Sequence, residues 1–215
     1  MNRTQLISLI NLEFSYSPSS VHRKIANLLQ HDLISYITWD EDRGERFFFL
    51  TKKGHNSIGG IYSFPKVPEY NLKHHIEVTN YLIESIRLAK TKPTFLLAQS
   101  ERRQMYEKKD MSKAKKGTLF HVSDYILRFE NEQANISDWH FEIELTLKSK
   151  NRYTQAIFPK YLGVLTRKKN AQLVYVTPSN QFTSALERML DGNDFINERY
   201  NLKNGDQLST QRLFN

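Results

Sequence analysis

The sequence contains no cysteine, which excludes disulfide bonds, thiolate nucleophiles and thiolate zinc sites. It also has no run approaching the roughly 18 to 20 apolar residues of a membrane span, and residues 1–12 lack the basic segment and apolar core of a signal peptide. We therefore expect a cytoplasmic protein with no membrane span. What is present is an ordinary globular composition of 215 residues, 25% charged and 39% hydrophobic, enough for one medium domain or two small ones.

The positive charge is concentrated in two stretches of the chain. The formal net charge is +8, yet residues 1–70 are nearly neutral, with eight basic and seven acidic side chains. Residues 87–116 carry ten basic and three acidic side chains, and residues 148–169 carry seven basic and no acidic ones. An excess of this kind favours a polyanionic partner, because lysine and arginine displace counterions from nucleic-acid phosphates. It is equally consistent with a solvated basic face.

The first fifty residues predict two helices followed by a β-hairpin. Helical spacing runs from Thr4 to Leu12, and Pro18-Ser19-Ser20 then gives a break and a serine cap. The second helix runs from Val21 to Asp32, with its apolar positions at Val21, Ile25, Leu28 and Leu29. Two strand-like runs, 36–39 and 46–50, flank a polar turn, and we interpret Trp39 and Phe47 to Phe49 as core packing rather than as base-stacking residues.

This order of elements resembles a winged helix-turn-helix, in which the second helix enters the major groove and the hairpin is the wing. The resemblance implies double-stranded DNA as a partner, although winged helices also dock proteins. The base-edge and phosphate candidates are Ser20, Arg23, Lys24 and Asn27 on the second helix, with Arg43 and Arg46 at the wing. The acidic Asp40-Glu41-Asp42 argues against a wing buried in the minor groove. Two prolines within residues 64–68 predict a boundary that ends a DNA-binding domain at residue 64.

Residues 69–200 are expected to form a second domain, a mixed sheet flanked by helices, so that the whole chain is of the α/β (α+β) class. The pattern predicts a helix over 72–88, strands near 94–98, 119–122, 125–129, 139–147 and 172–177, and helices over 150–162 and 181–190. Residues 201–215 have many amides and little periodicity, and we expect a flexible or partner-contacting tail.

The most informative strand in this domain is residues 139–147, where apolar and polar residues alternate strictly. Period two places Glu142, Glu144 and Thr146 on the face opposite the core. Two neighbouring carboxylates about 6.6 Å apart repel each other unless a cation lies beside them. A divalent metal or a lysine would serve, and Lys148, Lys150 and Arg152 follow directly. The alternative is a half-exposed strand whose outer face is simply acidic.

These features together resemble the replication-relaxation proteins of mobile elements and the MOBC class of conjugative relaxases. The resemblance rests on His75, Ser100-Glu101-Arg102, Asp124, the Glu142-x-Glu144 strand, the basic run Lys148-Ser-Lys-Asn-Arg-Tyr153 and a later Val-Tyr-Val strand. Proteins of this kind also place a winged helix in front. Their catalytic domain is related to the PD-(D/E)xK restriction endonucleases, which is the fold the resemblance implies for the second domain.

The resemblance implies a metal-dependent relaxase that binds a transfer origin and nicks one DNA strand. Asp124 and one or both of Glu142 and Glu144 would hold Mg²⁺ or Mn²⁺, hard cations that suit carboxylate oxygens. In the family pattern the catalytic lysine lies two residues after the acid, but here that position is Glu144. Lys148 would therefore take the role of the catalytic lysine, and Lys150 is the alternative. No proline precedes Asp124, a second departure from the pattern. Glu101 is expected on a polar turn, either as a further acid of the site or as a helix-capping or salt-bridged residue. Arg102, Arg103 and Arg152 are the remaining candidates for DNA contacts.

Two further points bear on the chemistry and on partners. None of the seven histidines forms a His-x-His pair, which argues against a histidine-bound metal working with a catalytic tyrosine. Whether Tyr125 or Tyr153 attacks phosphate stays open. Other relaxosome or coupling proteins are further partners that the resemblance implies. The alternative function is a non-catalytic DNA-binding accessory or regulatory protein of plasmid mobilisation or replication, and convergence of the three carboxylates is the feature that distinguishes the two.

Overall fold

The computed structural model describes residues 1–39, 44–65, 67, 71–109, 122–130, 133–168, 170–191 and 208–212. Over these residues the protein is mixed α/β, and the chain divides into two compact units, Met1–Thr91 and Lys92–Asn215. The predicted α/β class is confirmed in this general form. None of the helices in the described ranges is long and apolar enough to cross a membrane.

The first unit is built from helices around a β-hairpin. Its described elements are α1 (Arg3–Asn11), α2 (Pro18–Gln30), β1 (Ile34–Trp39), β2 (Glu45–Leu50), α3 (Lys52–Ser57) and α4 (Leu72–Ala89). The residue that precedes each of the first two helices caps its N-terminus with a side-chain hydrogen bond. Asn2 and Gln5 form a reciprocal capping box at α1, and Ser17 accepts the N–H of Ser20 at the start of α2, with Pro18 in the first turn.

The core of this unit forms where α2 packs on the hairpin. Val21, Ile25 and Phe48 are buried at its centre. Partly buried apolar residues from α1, α2, β1 and the α1–α2 loop surround them, namely Leu6, Ile7, Ile10, Tyr16, Leu29 and Ile34. Positions 21, 25 and 29 repeat every four residues and so share one face of α2. Leu28 was predicted on that face, but it points away and is 37% exposed.

Helix α4 belongs to the first unit, whereas the sequence assigned it to the second domain. The buried side chain of Gln5 on α1 donates from Nε2 to the carbonyl oxygen of Ile76, at 3.0 Å, and to Oδ1 of Asn80, at 2.7 Å. These hydrogen bonds join α1 to α4, so the division falls between Thr91 and Lys92 and not at residues 64–69. His75, on which part of the resemblance rests, therefore lies in the first unit.

The second unit is a mixed sheet with helices between its strands. Its described strands are β3 (Phe95–Ser100), β4 (Tyr125–Glu130), β5 (Ile136–Ile143), β6 (Gln172–Thr177) and β7 (Leu208–Arg212). Its helices are α5 (Glu101–Lys109), α6 (Lys150–Arg152), a π-helical turn (Tyr153–Ile157), α7 (Phe158–Arg167) and α8 (Asn180–Asp191). Strands β3, β4 and β5 pair antiparallel, β6 joins β5 in parallel, and β7 extends the sheet in parallel beyond β6.

One face of this sheet is covered by the helical segment between β5 and β6. Tyr153, Phe158, Tyr161, Leu162 and Leu165 from that segment pack with Leu173 and Tyr175 of β6 and with Leu186 of α8. The π-helical turn makes this possible, since Phe158 donates its N–H to the carbonyl oxygen of Tyr153 and the turn absorbs one extra residue. In a regular helix, positions 153 and 161 would lie about 80° apart around the axis, whereas the extra residue reduces this to about 20°.

Three details differ from the sequence prediction. Strand β5 ends at Ile143 and not at residue 147, although the N–H of Glu144 still donates to the carbonyl oxygen of Val176, at 2.8 Å. Glu101 begins α5 and does not lie on a turn. Residues 208–212 of the predicted flexible tail form β7, because the edge of β6 offers backbone groups for pairing. Residues 201–207 and 213–215, like 119–121 of the predicted strand 119–122, lie outside the described residues.

Candidate functional site

The basic face of α2, which we define as Arg23, Lys24 and Asn27, is the exposed side of that helix. Burial of Val21 and Ile25 against the hairpin turns these three residues outwards. Together with Leu28 they line an open depression of about 500 Å³. The helix therefore brings together three of the four residues predicted on it to contact DNA. Ser20 is half-buried in the cap, where its hydroxyl oxygen accepts from Ser17 at 3.0 Å.

The hairpin carries one described candidate, Arg46, because Arg43 lies outside the described residues. Arg46 faces Thr38 across the hairpin, and Tyr36 faces Phe48 two positions further along the same face. Phe48 is a core residue that packs on α2, so Arg46 extends the helix-facing side of the hairpin towards its tip. The core interpretation is confirmed for Phe47 and Phe48, which are 3% and 6% exposed, while Trp39 and Phe49 are half-buried.

In the second unit, strand register gathers the predicted acidic residues at one end of the sheet. Glu142 on β5 is paired with Tyr175 on β6, and Tyr125 on β4 is paired with Phe141. Asp124 precedes Tyr125, so the alternation of side chains aligns it with Glu142 on the same face. We call Asp124, Glu142 and Glu144 the acidic cluster.

Each carboxylate of the acidic cluster already accepts a hydrogen bond from its own unit. Oδ2 of Asp124 accepts the backbone N–H of Ile143 at 2.7 Å. Oε1 of Glu142 accepts the hydroxyl of Tyr161, and Oε1 of Glu144 forms an ion pair with Nζ of Lys148. Glu144 is 4% exposed, which explains why it needs the lysine: a carboxylate taken out of water requires a nearby cation or several donors.

The hydroxyl of Tyr175 lies beside this cluster and has no hydrogen-bond partner among the described residues. Burial raises the pKa of Tyr175 well above its usual value, and the charges of Glu142, Glu144 and Asp124 raise the pKa further. The register places Asp124 and Glu142 on one face of the sheet, and Glu144 follows directly after the end of β5.

Two more tyrosines close this neighbourhood from the helical layer. Tyr161 and Tyr153 are 1% and 0% exposed. Burial raises the pKa of each hydroxyl above its usual value, and for Tyr161 the charge of Glu142 adds to the effect. Both hydroxyls therefore stay protonated at neutral pH, which does not favour Tyr153 as a phenolate nucleophile. Tyr125 lies on the opposite face of the sheet, where its ring stacks on Phe141 with centroids 4.6 Å apart.

The acidic cluster does not form a metal-ligand set in this arrangement. Among the residues that the structure describes, no group of three or more histidine, aspartate or glutamate side chains has the geometry to hold a metal ion. The oxygen donors have the chemistry that Mg²⁺ or Mn²⁺ prefers. One oxygen of each carboxylate is engaged, with the Ile143 N–H, the Tyr161 hydroxyl or the Lys148 ammonium group. The residues therefore do not fit the predicted cation as they stand.

The other predicted residues of the second unit lie near the sheet end or on its helices. Glu101 is exposed in the first turn of α5, directly after Ser100, which pairs with Tyr125. Arg103 on the same helix donates from Nε to Glu107 at 2.8 Å, and Arg102 is half-buried. Lys150 and Arg152 are exposed on α6, which Ser149 caps.

Sequence reasoning missed a buried polar network next to the cluster. Gln104 of α5 donates from Nε2 to the carbonyl oxygen of Ser123 at 2.9 Å and accepts its N–H at 3.2 Å. The Ser123 hydroxyl also lies 3.1 Å from Nδ1 of His140, and all three residues are buried. His140 precedes Glu142 by two residues on one strand, a spacing that places both on the same face. This two-residue spacing is the feature of the sequence from which His140 could have been placed beside Glu142.

A buried ion-pair network, also missed, holds the opposite end of β5. Asp138 is 2% exposed and accepts from Nε of Arg128 and from Nζ of Lys168, each at 2.6 Å. Burial alone would raise the pKa of the Asp138 carboxyl, but the hydrogen bonds from Arg128 and Lys168 outweigh it and lower the pKa to about 2. This network fixes the register of β4 and β5, which pair Arg128 with Asp138.

Comparison with known proteins does not assign a function to either site. No protein-family model matches the chain, and searches of curated proteins and of solved structures return no match.

Proposed function

We propose that this chain binds double-stranded DNA through the basic face of α2 and the adjoining hairpin. The observation that carries the proposal is the exposure of Arg23, Lys24 and Asn27 together around one depression on a single helix. An α-helix of this kind fits the major groove, where arginine and lysine contact phosphates or guanine and asparagine pairs with adenine. Arg46 on the helix-facing side of the hairpin adds a cation at the edge of this surface.

The order α1, α2, β1, β2 supports this function, because in a winged helix-turn-helix the second helix and the hairpin contact the same duplex. The formal net charge of +8 supports it as well, since it favours association with a polyanion. Under this proposal the protein is a DNA-binding accessory or regulatory protein. The second unit is then a scaffold whose polar residues stabilise the fold.

The test is binding of the full chain to a fluorescein-labelled duplex, measured by fluorescence anisotropy at several salt concentrations. We expect affinity to fall steeply with salt, and Arg23→Ala to reduce the slope of log K against log salt by about one. Lys73→Ala is the matched control, because it also removes one exposed positive charge from the first unit. Binding that is independent of salt, or equally weakened by both substitutions, would contradict the proposal.

The second candidate function is cleavage of one DNA strand at the acidic cluster. The observation that favours it is the strand register, which aligns Asp124 with Glu142 on one face at the end of the sheet, with Glu144 one residue beyond β5. The resemblance to MOBC relaxases would make a plasmid transfer origin the substrate, with relaxosome or coupling proteins as partners. The cluster would have to release Lys148 and Tyr161 before it could take a cation, and this requirement ranks the candidate second.

This candidate is tested by incubating supercoiled plasmid carrying a mobilisation region with the protein in Mg²⁺, Mn²⁺ or EDTA. Nicking that requires a cation and is lost in Glu142→Gln and Glu144→Gln would support cleavage at the acidic cluster. Duplex binding without strand scission in any of these buffers would leave the first function standing alone.

A further inference from the structure

Two aromatic rings of the first unit each lie under a cation of the proposed DNA-contacting surface. Nζ of Lys24 is 4.6 Å from the centroid of the Tyr16 ring, and Cζ of Arg46 is 4.5 Å from that of Tyr36. We propose that Tyr16 and Tyr36 are positioning residues, which hold these two cations in the orientation that meets DNA phosphates. The inference rests on the proposed DNA-binding function and adds two residues that the sequence did not suggest.

The ring of Tyr16 is fixed by the core below it. It packs against the cluster formed by Val21, Ile25 and Phe48, and it stacks on the ring of Phe14 with an interplanar angle of 15°. The backbone N–H of Tyr16 donates to Oδ1 of Asn11 at 3.2 Å, which holds the loop between α1 and α2. A lysine on an exposed helix face is otherwise free to sample many rotamers. A fixed ring therefore limits where the ammonium group of Lys24 can be.

The ring of Tyr36 is held in a different way, by its neighbour across the hairpin. Tyr36 pairs with Phe48, and their rings meet edge to face with centroids 6.1 Å apart. Arg46 is paired with Thr38 and reaches Tyr36 diagonally along the same face of the hairpin. Because Phe48 belongs to the core, the ring beneath the guanidinium group is tied to the body of the unit.

The expected size of the effect follows from the strength of such contacts. An exposed cation over an aromatic ring is stabilised to a degree that corresponds to about a two- to five-fold change in an equilibrium constant. Holding the side chain in place before DNA binds reduces the ordering that binding must otherwise impose. The hydroxyl group plays no part in this contact, so phenylalanine should replace tyrosine at either position.

The experiment is a double-mutant cycle on the full chain, with affinity for a fluorescein-labelled mixed-sequence duplex as the readout. One cycle combines Tyr16→Leu with Lys24→Met, and the other combines Tyr36→Leu with Arg46→Met. We expect each tyrosine substitution to weaken binding about two- to five-fold with an unchanged salt slope, because the positive charge remains. In the background lacking the cation, the same tyrosine substitution should have no further effect. Tyr16→Phe and Tyr36→Phe should bind like the unsubstituted protein.

The outcomes separate this inference from the function on which it rests. If Lys24→Met and Arg46→Met weaken binding but the leucine variants do not, the positioning role is wrong and the DNA-binding function stands. Leucine substitutions that weaken binding equally with and without the cation would show that the rings act through the fold, which also overturns the inference. If the unsubstituted protein has no salt-dependent affinity for the duplex, both the function and the positioning role are wrong.

A spectroscopic measurement tests the contact itself without DNA. The side-chain methylene resonances of Lys24 should be shifted upfield by the ring of Tyr16 in the free protein and in Tyr16→Phe. The shift should vanish in Tyr16→Leu. Its absence in the unsubstituted protein would contradict the contact on which the positioning role depends.

Discussion

The basic face of α2 and the polar interior of the second unit use charged residues in opposite ways. On α2, Arg23 and Lys24 are exposed, and the helix is held by apolar residues on its other side. In the second unit, Asp138 and Glu144 are buried, and each is paired with a cation from its own unit. A charge in solvent is available to an external partner, whereas a buried charge is already engaged by the fold. Substitutions should therefore affect binding in the first region and stability in the second.

The largest expected effect is at Asp138, the most buried charge of the second unit's ion-pair network. Asp138→Ala should lower the free energy of unfolding by about 3 kcal/mol, because it leaves Arg128 without its carboxylate. Urea denaturation followed by circular dichroism measures this loss. Lys168→Ala is the control, since Lys168 is 53% exposed and its removal should cost less than about 1 kcal/mol. Similar losses of unfolding free energy in both variants would mean that the difference in burial between Asp138 and Lys168 does not determine how much each contributes to stability.

The same carboxyl should give the protein a defined acid sensitivity. Its pKa in the folded state, about 2, lies below the ordinary value of 3.8, so the folded state favours the charged form. The stability it contributes, about 2 kcal/mol, is present above pH 4 and is lost as pH falls through 4 towards 2. Urea midpoints measured across this range should fall less steeply in Asp138→Asn than in the unsubstituted protein. Parallel pH profiles of the two proteins would contradict the assignment.

Two tyrosines of the acidic neighbourhood should respond with opposite signs to loss of their hydroxyl groups. Tyr161→Phe removes the donor to Glu142 and should destabilise the protein by about 1.5 to 3 kcal/mol. Tyr175→Phe removes a buried hydroxyl that has no partner among the described residues, so stability should be unchanged or up to about 1 kcal/mol higher. The difference between the two thermal midpoints is the measurement. A clear loss of stability in Tyr175→Phe would indicate that the Tyr175 hydroxyl donates a hydrogen bond to an acceptor outside the described residues.

The smallest effect on stability is expected on the basic face of α2. Lys24→Ala should change the free energy of unfolding by less than about 1 kcal/mol, because the residue is exposed and its contact with the Tyr16 ring contributes no more than that. Affinity for duplex DNA should nevertheless fall, with the salt slope reduced by about one. Calorimetry and anisotropy on the same preparation test the pair of expectations. A loss of stability comparable to that of Tyr161→Phe would remove the contrast between the two regions.

How much of this could be predicted from the sequence depends on how local each signal is. The spacing of Val21 and Ile25 predicted the exposed face of α2, and the alternation around Glu142 predicted a strand with its acids on one side. Leu28 was misplaced because a four-residue repeat and a three-residue repeat both fit the apolar positions, and only packing against the hairpin decides between them. The ion pair between Lys148 and Glu144 could be expected from the sequence, because the two charged residues are only four positions apart.

The remaining features depend on contacts between distant parts of the chain. The docking of α4 on α1 is made by Gln5, a residue whose type predicts exposure rather than burial. The partnership of Tyr161 with Glu142 depends on a helix whose hydrogen bonding changes over five residues, and no local pattern of apolar residues indicates this. The pairing of β7 with β6 joins segments separated by some thirty residues. The metal site proposed from the sequence assumed free carboxylates, and the number of internal donors could not be known without the fold.

The π-helical turn at Tyr153–Ile157 implies that this helix contains one residue more than a regular helix of the same length would need. Deleting an exposed residue within it, such as Gln155, would let the segment relax into continuous α-helix. Tyr153 and Tyr161 would then be separated by seven positions of regular helix, which again places them about 20° apart around the axis. The two side chains that now share the acidic neighbourhood would still lie on one face of the helix. A single-codon deletion would thus remove the π-helical turn while keeping both tyrosines over the same face of the sheet.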